Sequence, residues 1–305
     1  MDTYDVLVIG TGVAGYAAGM YAARLGLKAV IVGELPGGTI VWTDTVENYP
    51  GFVKISGYEL AEKLREHAEA NKVSIINARV EKLVKEKEVF RATGKEVDIL
   101  ARTVILATGT RHRKLDVPGA EKFETKGIHY CALCDGGFYK GKVVAVIGGS
   151  DAAAIDGLVL SNLCKHVYVI YRGEQLRAEP INKEKLLSQQ NVNVIYKTNI
   201  TKINGEDKLS SVELDNEYNG SKTLVIDGLF VAIGGIPQSE LAAQVGVELN
   251  QKGEVKINRK SETNVPGFFA AGDVVDSHFK QAITGVAEGV NAAYAAFEYL
   301  KKNKQ

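Results

Sequence analysis

A strand, a glycine-rich turn, a helix and a second strand occur twice in this 305-residue chain, and that repetition restricts the fold more than any other feature. In the first copy the apolar residues 6–9 lead into Gly10-Thr11-Gly12-Val13-Ala14-Gly15, then an Ala-rich helix ending near Leu25, then a strand over 28–32. In such a unit the first glycine makes the tight turn, the second lets a pyrophosphate approach the backbone, and the third lets helix pack on strand. The free N–H groups at the helix start hold the phosphates. Glu34 follows about 20 residues after the turn, where an acid takes a ribose hydroxyl. In the second copy residues 143–147 lead into Gly148-Gly149-Ser150-Asp151-Ala152-Ala153, a helix, and a strand over 166–171. Weaker glycine-bearing strand ends lie at 104–109 and 228–235. Residues 268–274 (Phe-Phe-Ala-Ala-Gly-Asp-Val) read as a short strand ending in Gly-Asp, followed by an Ala-rich helix over about 281–300. The pattern predicts an α/β fold with two Rossmann-like dinucleotide-binding domains. Two such units imply two nucleotides, for which nicotinamide-to-flavin electron transfer is the economical chemistry, or a duplication in which one site is only structural.

Charge and cysteine usage narrow the function. The 37 basic residues are offset by 37 acidic ones, which argues against nucleic acid or an anionic membrane surface as partner. The chain opens without a basic, apolar leader, and no apolar run approaches the ~18 residues of a membrane span, so a cytoplasmic protein is expected. Three cysteines are too few for a disulfide-stapled secreted scaffold. Two of them form Cys131-Ala132-Leu133-Cys134-Asp135. Zinc needs two more Cys or His ligands at matching spacing, and His129 and Cys164 leave that count short, so no metal site is expected. A redox dithiol is the better account, because two thiols so spaced close a disulfide at low conformational cost and exchange electrons in pairs. Asp135 is placed to protonate a departing thiolate or take a thiol proton; its alternative is a helix-capping acid. Cys164 is expected to be a buried structural thiol, and residues 40–42 (Ile-Val-Trp) to be core, with an interface as the alternative.

With those residues in view the chain resembles the low-molecular-weight thioredoxin reductases over essentially its whole length. The matching segments are residues 10–15, Val46-Glu47-Asn48-Tyr49-Pro50-Gly51, Ala107-Thr108-Gly109, residues 131–136, and residues 270–274 followed by Lys280-Gln281-Ala282-Ile283-Thr284. The resemblance implies three-layer ββα domains, the second inserted into the first. It places an FAD-binding domain at 1–115 and 244–305 and an NAD(P)H-binding domain carrying the CxxC at 116–243. It implies FAD contacts at Gly10, Gly12, Val13, Ala14, Gly15, Glu34, Gly38, Thr39, Asn48, Ala107, Thr108, Gly109, Gly272, Asp273, Gln281, Ala282 and Ile283. It implies NADPH contacts at Gly148, Gly149, Ser150, Asp151, Ala152, Arg172 and Arg177. The implied chemistry is a relay from a nicotinamide through FAD to the Cys131–Cys134 disulfide. In it Cys134 faces the flavin, Cys131 attacks a thioredoxin- or glutaredoxin-like partner, and Asp135 manages protons. A homodimer is implied as well, with domain rotation about connections near 112–119 and 241–246.

The departures from that family gather in the inserted domain. Thr39 replaces the usual Gln in the first domain. Ser150 replaces the second glycine of the inner fingerprint, and Ile155 a Glu. The family's His-Arg-Arg-x-x-x-Arg reader of the 2′-phosphate stands here as Tyr171-Arg172-Gly173-Glu174-Gln175-Leu176-Arg177. Arg172 and Arg177 retain the capacity to clamp a phosphate, with Glu174 weakening the field. NADPH is thus the leading donor, and ferredoxin or another reduced cofactor the alternative. A flavin-dependent dithiol oxidase and a nucleotide-binding module without turnover are the other classes.

Overall fold

The computed structural model of the chain describes residues 3–124 and 126–303. It divides into two units, Met1–Arg111 with Ile236–Gln305 and, inserted between them in sequence, His112–Gly235. The chain begins with β1 (Thr3–Ile9), α1 (Val13–Arg24), β2 (Ala29–Gly33), α2 (Gly57–Ala70), β3 (Ser74–Asn77), β4 (Lys82–Glu86), β5 (Val89–Gly94), β6 (Val97–Leu106) and β7 (Thr110–His112). The inserted unit continues with α3 (Ala120–Phe123), β8 (Ile128–His129), α4 (Ala132–Asp135), β9 (Val143–Ile147), α5 (Asp151–Ser161), β10 (His166–Ile170) and α6 (Pro180–Leu187). It ends with β11 (Val192–Ile195), β12 (Ile200–Gly205), β13 (Leu209–Tyr218), β14 (Ser221–Val225) and β15 (Gly228–Val231). After β16 (Gly235–Pro237) come α7 (Glu240–Gln244), β17 (Phe268–Ala270) and α8 (Ala282–Lys302).

The split unit is built on a parallel sheet, β3-β2-β1-β6, in which Leu7 faces Val30 on one side and Val104 on the other. Along its other edge the long β6 has two further partners in the same sheet. Its C-terminal half pairs parallel with β17, and its N-terminal half pairs antiparallel with β5, which pairs with β4. Unbroken Val/Ile/Leu runs suit a sheet covered on both faces, and alternate residues do feed two cores. Leu7, Ile9, Val30, Val104, Leu106 and Phe268 enter one. Val6, Val8, Ile31, Ile105 and Phe269 enter the other, beneath the small residues of α1 and α8. Leu241 and Ala242 of α7 are buried in the first of these cores, which returns the chain to the split unit at 235–236. Residues 241–246, expected as a connection, are therefore largely a short packed helix.

The inserted unit repeats the plan with a parallel sheet β11-β10-β9-β15-β8 and a three-stranded antiparallel sheet β12-β13-β14. Val144, Val146, Val169 and Phe230 pack on α5, while Ala145, Ile170, Leu229 and Val231 face the antiparallel layer. One expectation fails: Ile40, Val41 and Trp42 are half-buried in a short 3₁₀ helix rather than core. That turn is held at its start by the positive φ of Gly37 (82°), and only Ile40 among the three packs on the small cluster of Val46, Ile55 and Leu60. No described helix is long and apolar enough to cross a membrane.

Candidate functional site

Both glycine turns arise from one constraint, the pressure of a neighbouring strand end on the first residue. Gly10 has φ 125°, and a Cβ there would lie 2.1 Å from the Ala107 carbonyl oxygen. Gly148 has φ 149°, and its Cβ would lie 2.3 Å from the Ala232 carbonyl oxygen. No other residue type tolerates both the conformation and the approach. At the third position of the first turn, a Cβ on Gly15 would fall 1.9 Å from the Gly10 carbonyl oxygen, so α1 packs directly on the turn.

Around the first turn the split unit gathers several of the residues expected to hold FAD. Gly12 caps α1 without a side-chain hydrogen bond, and a Cβ on it would meet nothing nearer than Gly38 Cα at 3.8 Å, leaving helix N–H groups and backbone open to a ligand. Val13 and Ala14 begin the helix, and Gly37 is tied to the turn by its N–H to the Thr11 carbonyl (2.9 Å). Glu34 stands at the end of β2, exposed, with Arg79 at 3.4 Å. Thr39 is exposed in the 3₁₀ turn. Ala107 is fixed by its N–H to the Ile9 carbonyl, and Thr108 and Gln238 exchange two hydrogen bonds of 2.7 and 2.8 Å, with Gly109 accepting from Gln238 N–H. Asn48 donates to Gln281 Oε1 at 3.2 Å, joining the Asn48 loop to the start of α8. There Gln281 and Thr284 form a capping box ahead of Ala282 and Ile283. Gly272 donates its N–H to Glu288 at 2.8 Å, and Ser277 donates to the same carboxylate. Burial pushes the carboxyls of both Asp273 and Glu288 up, with Lys280 opposing the shift in each. An open glycine cradle at a helix N-terminus beside a buried acid is the donor and acceptor set a dinucleotide needs, and the residues present fit one.

The second turn is furnished differently. The Tyr171 ring lies against it: a Cβ on Gly149 would be 2.3 Å from that ring, and one on Gly173 would be 2.6 Å from it. Ser150 caps α5 without a side-chain hydrogen bond. Asp151 is engaged, accepting from Glu179 N–H (3.1 Å) and Asn182 (2.9 Å) at the start of α6, while Ala152 is exposed. Arg177 donates its backbone N–H to the Gly149 carbonyl (2.7 Å) and sets its guanidinium 5.9 Å from the Tyr171 ring centre. Arg172 and Arg177 are both exposed, and Glu174 is paired with Lys197 at 2.8 Å.

The cysteines occupy the same unit. Cys131 and Cys134 are joined in a disulfide, their Cα atoms 5.3 Å apart. Cys131 is the N-cap of α4, and its sulfur accepts the Cys134 N–H at 3.0 Å. Leu133 and Cys134 are exposed, while Ala132 is fully buried. Cys164 is buried and its thiol is pushed up to about 11 by burial, with Asp227 adding to the shift. Among the described residues no group of His, Cys, Asp and Glu is arranged to hold a metal.

Three residues around this disulfide went unassigned in the sequence. His129 places Nδ1 3.0 Å from Asp135 Oδ2 and Nε2 2.7 Å from the Tyr139 hydroxyl. The Asp156 carboxylate on α5 accepts the Ala132 N–H between the two cysteines, and burial, which that bond opposes, pushes its carboxyl up to about 7. His129 had a signal, its place two residues before the first thiol. Asp156 had another, a charge inside the apolar run of α5.

Comparison with known proteins agrees with this geometry. Residues 4–289 match the family described as pyridine nucleotide-disulphide oxidoreductase. The chain is 38% identical to the thioredoxin reductase of Treponema pallidum over 98% of each. It is 35% identical to the NADH dehydrogenase of Bacillus subtilis over 99% of this chain, but spans only 60% of that longer protein. Among solved structures, the thioredoxin reductase of Lactococcus lactis superposes with a TM-score of 0.94 at 33% identity, covering 98% of this chain and all of that one. A ferredoxin-flavin thioredoxin reductase of Clostridium acetobutylicum matches with a TM-score of 0.54 at 30% identity over 99% of each.

Proposed function

The chain belongs to the pyridine nucleotide-disulphide oxidoreductases, among the FAD-dependent low-molecular-weight thioredoxin reductases, and from that premise we propose that it reduces the disulfide of a thioredoxin- or glutaredoxin-like protein through Cys131 and Cys134. The observation that carries this is the disulfide at the start of α4, with an acid immediately after it, in the unit that holds the second glycine turn. The split unit is the FAD-binding domain, with the cofactor held by residues 10–15, Glu34, Gly38, Thr39, Asn48, residues 107–109, Gly272, Asp273 and residues 281–283. FAD supplies a two-electron store for the dithiol when bound. The protein's own part is to prepare the sulfurs. The Cys134 N–H aimed at Cys131 Sγ favours a thiolate there once the bond opens, which suits Cys131 to attack an incoming disulfide. Asp135 holds or delivers the accompanying proton.

Replacement of Cys134 by Ser tests this directly. The variant is expected to retain FAD and lose disulfide reductase activity; a variant that still turns over a thioredoxin-like substrate overturns the reading. Oxygen uptake with a dithiol substrate distinguishes an oxidase.

The donor is proposed to be NADPH, supported by the exposed Arg172 and Arg177 beside the second turn. A specific observation favours a second reading: a serine, Ser150, stands at the N-cap of α5 where Gly12 stands at that of α1 and leaves the backbone open. On that reading the donor is a ferredoxin or another reduced carrier, in keeping with the likeness to the clostridial ferredoxin-flavin enzyme. Anaerobic titration decides between them. Stoichiometric NADPH bleaches the flavin absorbance under the first, and only a reduced protein donor does so under the second.

A further inference from the structure

His129 is held on every side. Its ring stacks on Phe230 at 5.3 Å between centroids with planes 29° apart, and the edge of Tyr139 meets it at 5.2 Å. Its side chain is only 12% exposed, and both ring nitrogens have partners, Asp135 on Nδ1 and the Tyr139 hydroxyl on Nε2. Such a hydrogen-bond pair fixes the tautomer: Nδ1–H donates to the carboxylate, and Nε2 accepts the phenol O–H. Burial, and after it the negative charges of Asp135 and Asp227, keep that phenol protonated. A chain of hydrogen bonds thus runs from Tyr139 through His129 to the acid that follows the second redox thiol.

We propose that His129 is the positioning residue of Asp135 in dithiol–disulfide interchange: its Nδ1–H holds the Asp135 carboxylate in place to take the proton of Cys134. The proposal rests on the reductase reading above. In the interchange the Cys131 thiolate, its proton already released to solvent, attacks a substrate disulfide. The bond between Cys131 Sγ and one substrate sulfur forms, the substrate S–S bond breaks, and the departing sulfur keeps the electron pair and takes a proton from solvent. Cys134 then gives its proton to the Asp135 carboxylate, which the His129 Nδ1–H steadies, and attacks Cys131 Sγ. The intramolecular disulfide closes, the mixed disulfide breaks, and the second substrate thiolate receives the proton Asp135 held. The enzyme dithiol is oxidised by two electrons and the substrate disulfide reduced by two.

The groups that face this imidazole or act on its partners are few. Asp135 comes from α4 and Tyr139 from the 3₁₀ turn after it. Asp227, before β15, acts on Tyr139, and Lys142 lies 5.3 Å from the Tyr139 ring centre. Asp156 of α5 is bonded to Ala132.

The test uses the holoenzyme, reduced anaerobically by a dithiol, freed of reductant, and mixed in single turnover with dithiobis(nitrobenzoate), whose thiolate product is coloured. In the wild type, the rate of disulfide closure is expected to rise with pH below the alkaline range of thiol ionisation. His129→Gln cannot titrate; its closure is expected to be slower by roughly tenfold or more near neutral pH, with that rise abolished and only a thiol ionisation left at alkaline pH. Tyr139→Phe, which keeps the ring, is expected to displace the rise along the pH axis. Equal pH profiles for wild type and His129→Gln overturn the proposal. If His129→Gln fails to fold, an undisplaced rise in Tyr139→Phe overturns it instead. A wild-type dithiol that releases no coloured thiolate overturns the reductase reading and is thereby distinguished from failure of the positioning role.

Discussion

Asp156 shows what one buried acid costs the inserted unit. Its carboxyl titrates at about 7 in the folded chain, against 3.8 for the ordinary group, because burial outweighs the hydrogen bond from Ala132. The folded state therefore binds the proton more tightly than the unfolded one. Stability is greatest below the unfolded value, falls as pH rises through the interval up to about 7, and is flat above it. At ~1.4 kcal/mol per unit, the whole effect is at most a few kcal/mol. Asp156→Asn is expected to lose most of this slope, so its urea midpoint should gain on the wild type as pH is raised; a gap that stays constant with pH counts against the burial account. At the same scale, the two thiols and their acid were legible in the sequence because spacing alone brings them together. His129, Tyr139 and Asp156 were not, since their roles depend on which side chains three separate elements bring to the turn.

Between elements, one close restraint is the approach of α8 to α1. A Cβ on Gly289 would stand 2.3 Å from the Ala14 carbonyl oxygen and 3.3 Å from Ala18 N, so the two helices meet backbone to backbone. Gly289→Ala must force them apart, at a cost of roughly 1–3 kcal/mol as for other overpacked cores. Because α1 carries the glycine turn and α8 begins at Gln281, the same substitution is expected to lower the flavin content of the purified protein. Full FAD occupancy and an unchanged melting temperature would contradict this packing argument. The paired helices were visible in the sequence as Ala-rich runs after glycine turns. Their contact was not, for they are separated by most of the chain.

Across the whole molecule, each described hydrophobic cluster lies within a single unit. Two units with separate cores imply two cooperative transitions, and a ligand raises only the transition of the unit that binds it. Excess FAD added to apoprotein is expected to shift the unfolding of the split unit upward by calorimetry while leaving that of the inserted unit in place. Equal shifts of both transitions would oppose the assignment of FAD to the split unit.

The repeated strand–turn–helix pattern determined the two-domain α/β architecture by itself, because each glycine turn, apolar strand and following helix is a local consequence of consecutive residues. The same holds for the redox pair and its neighbouring acid. Tertiary structure decided what consecutive residues cannot: that residues 40–42 lie half outside the core, that Asp156 of α5 reaches the backbone between the two redox cysteines, and that Asp135 is gripped by a histidine wedged on Phe230. Each of these joins side chains of separate elements, whose positions depend on the closure of the parallel sheet and the packing of its covering helices.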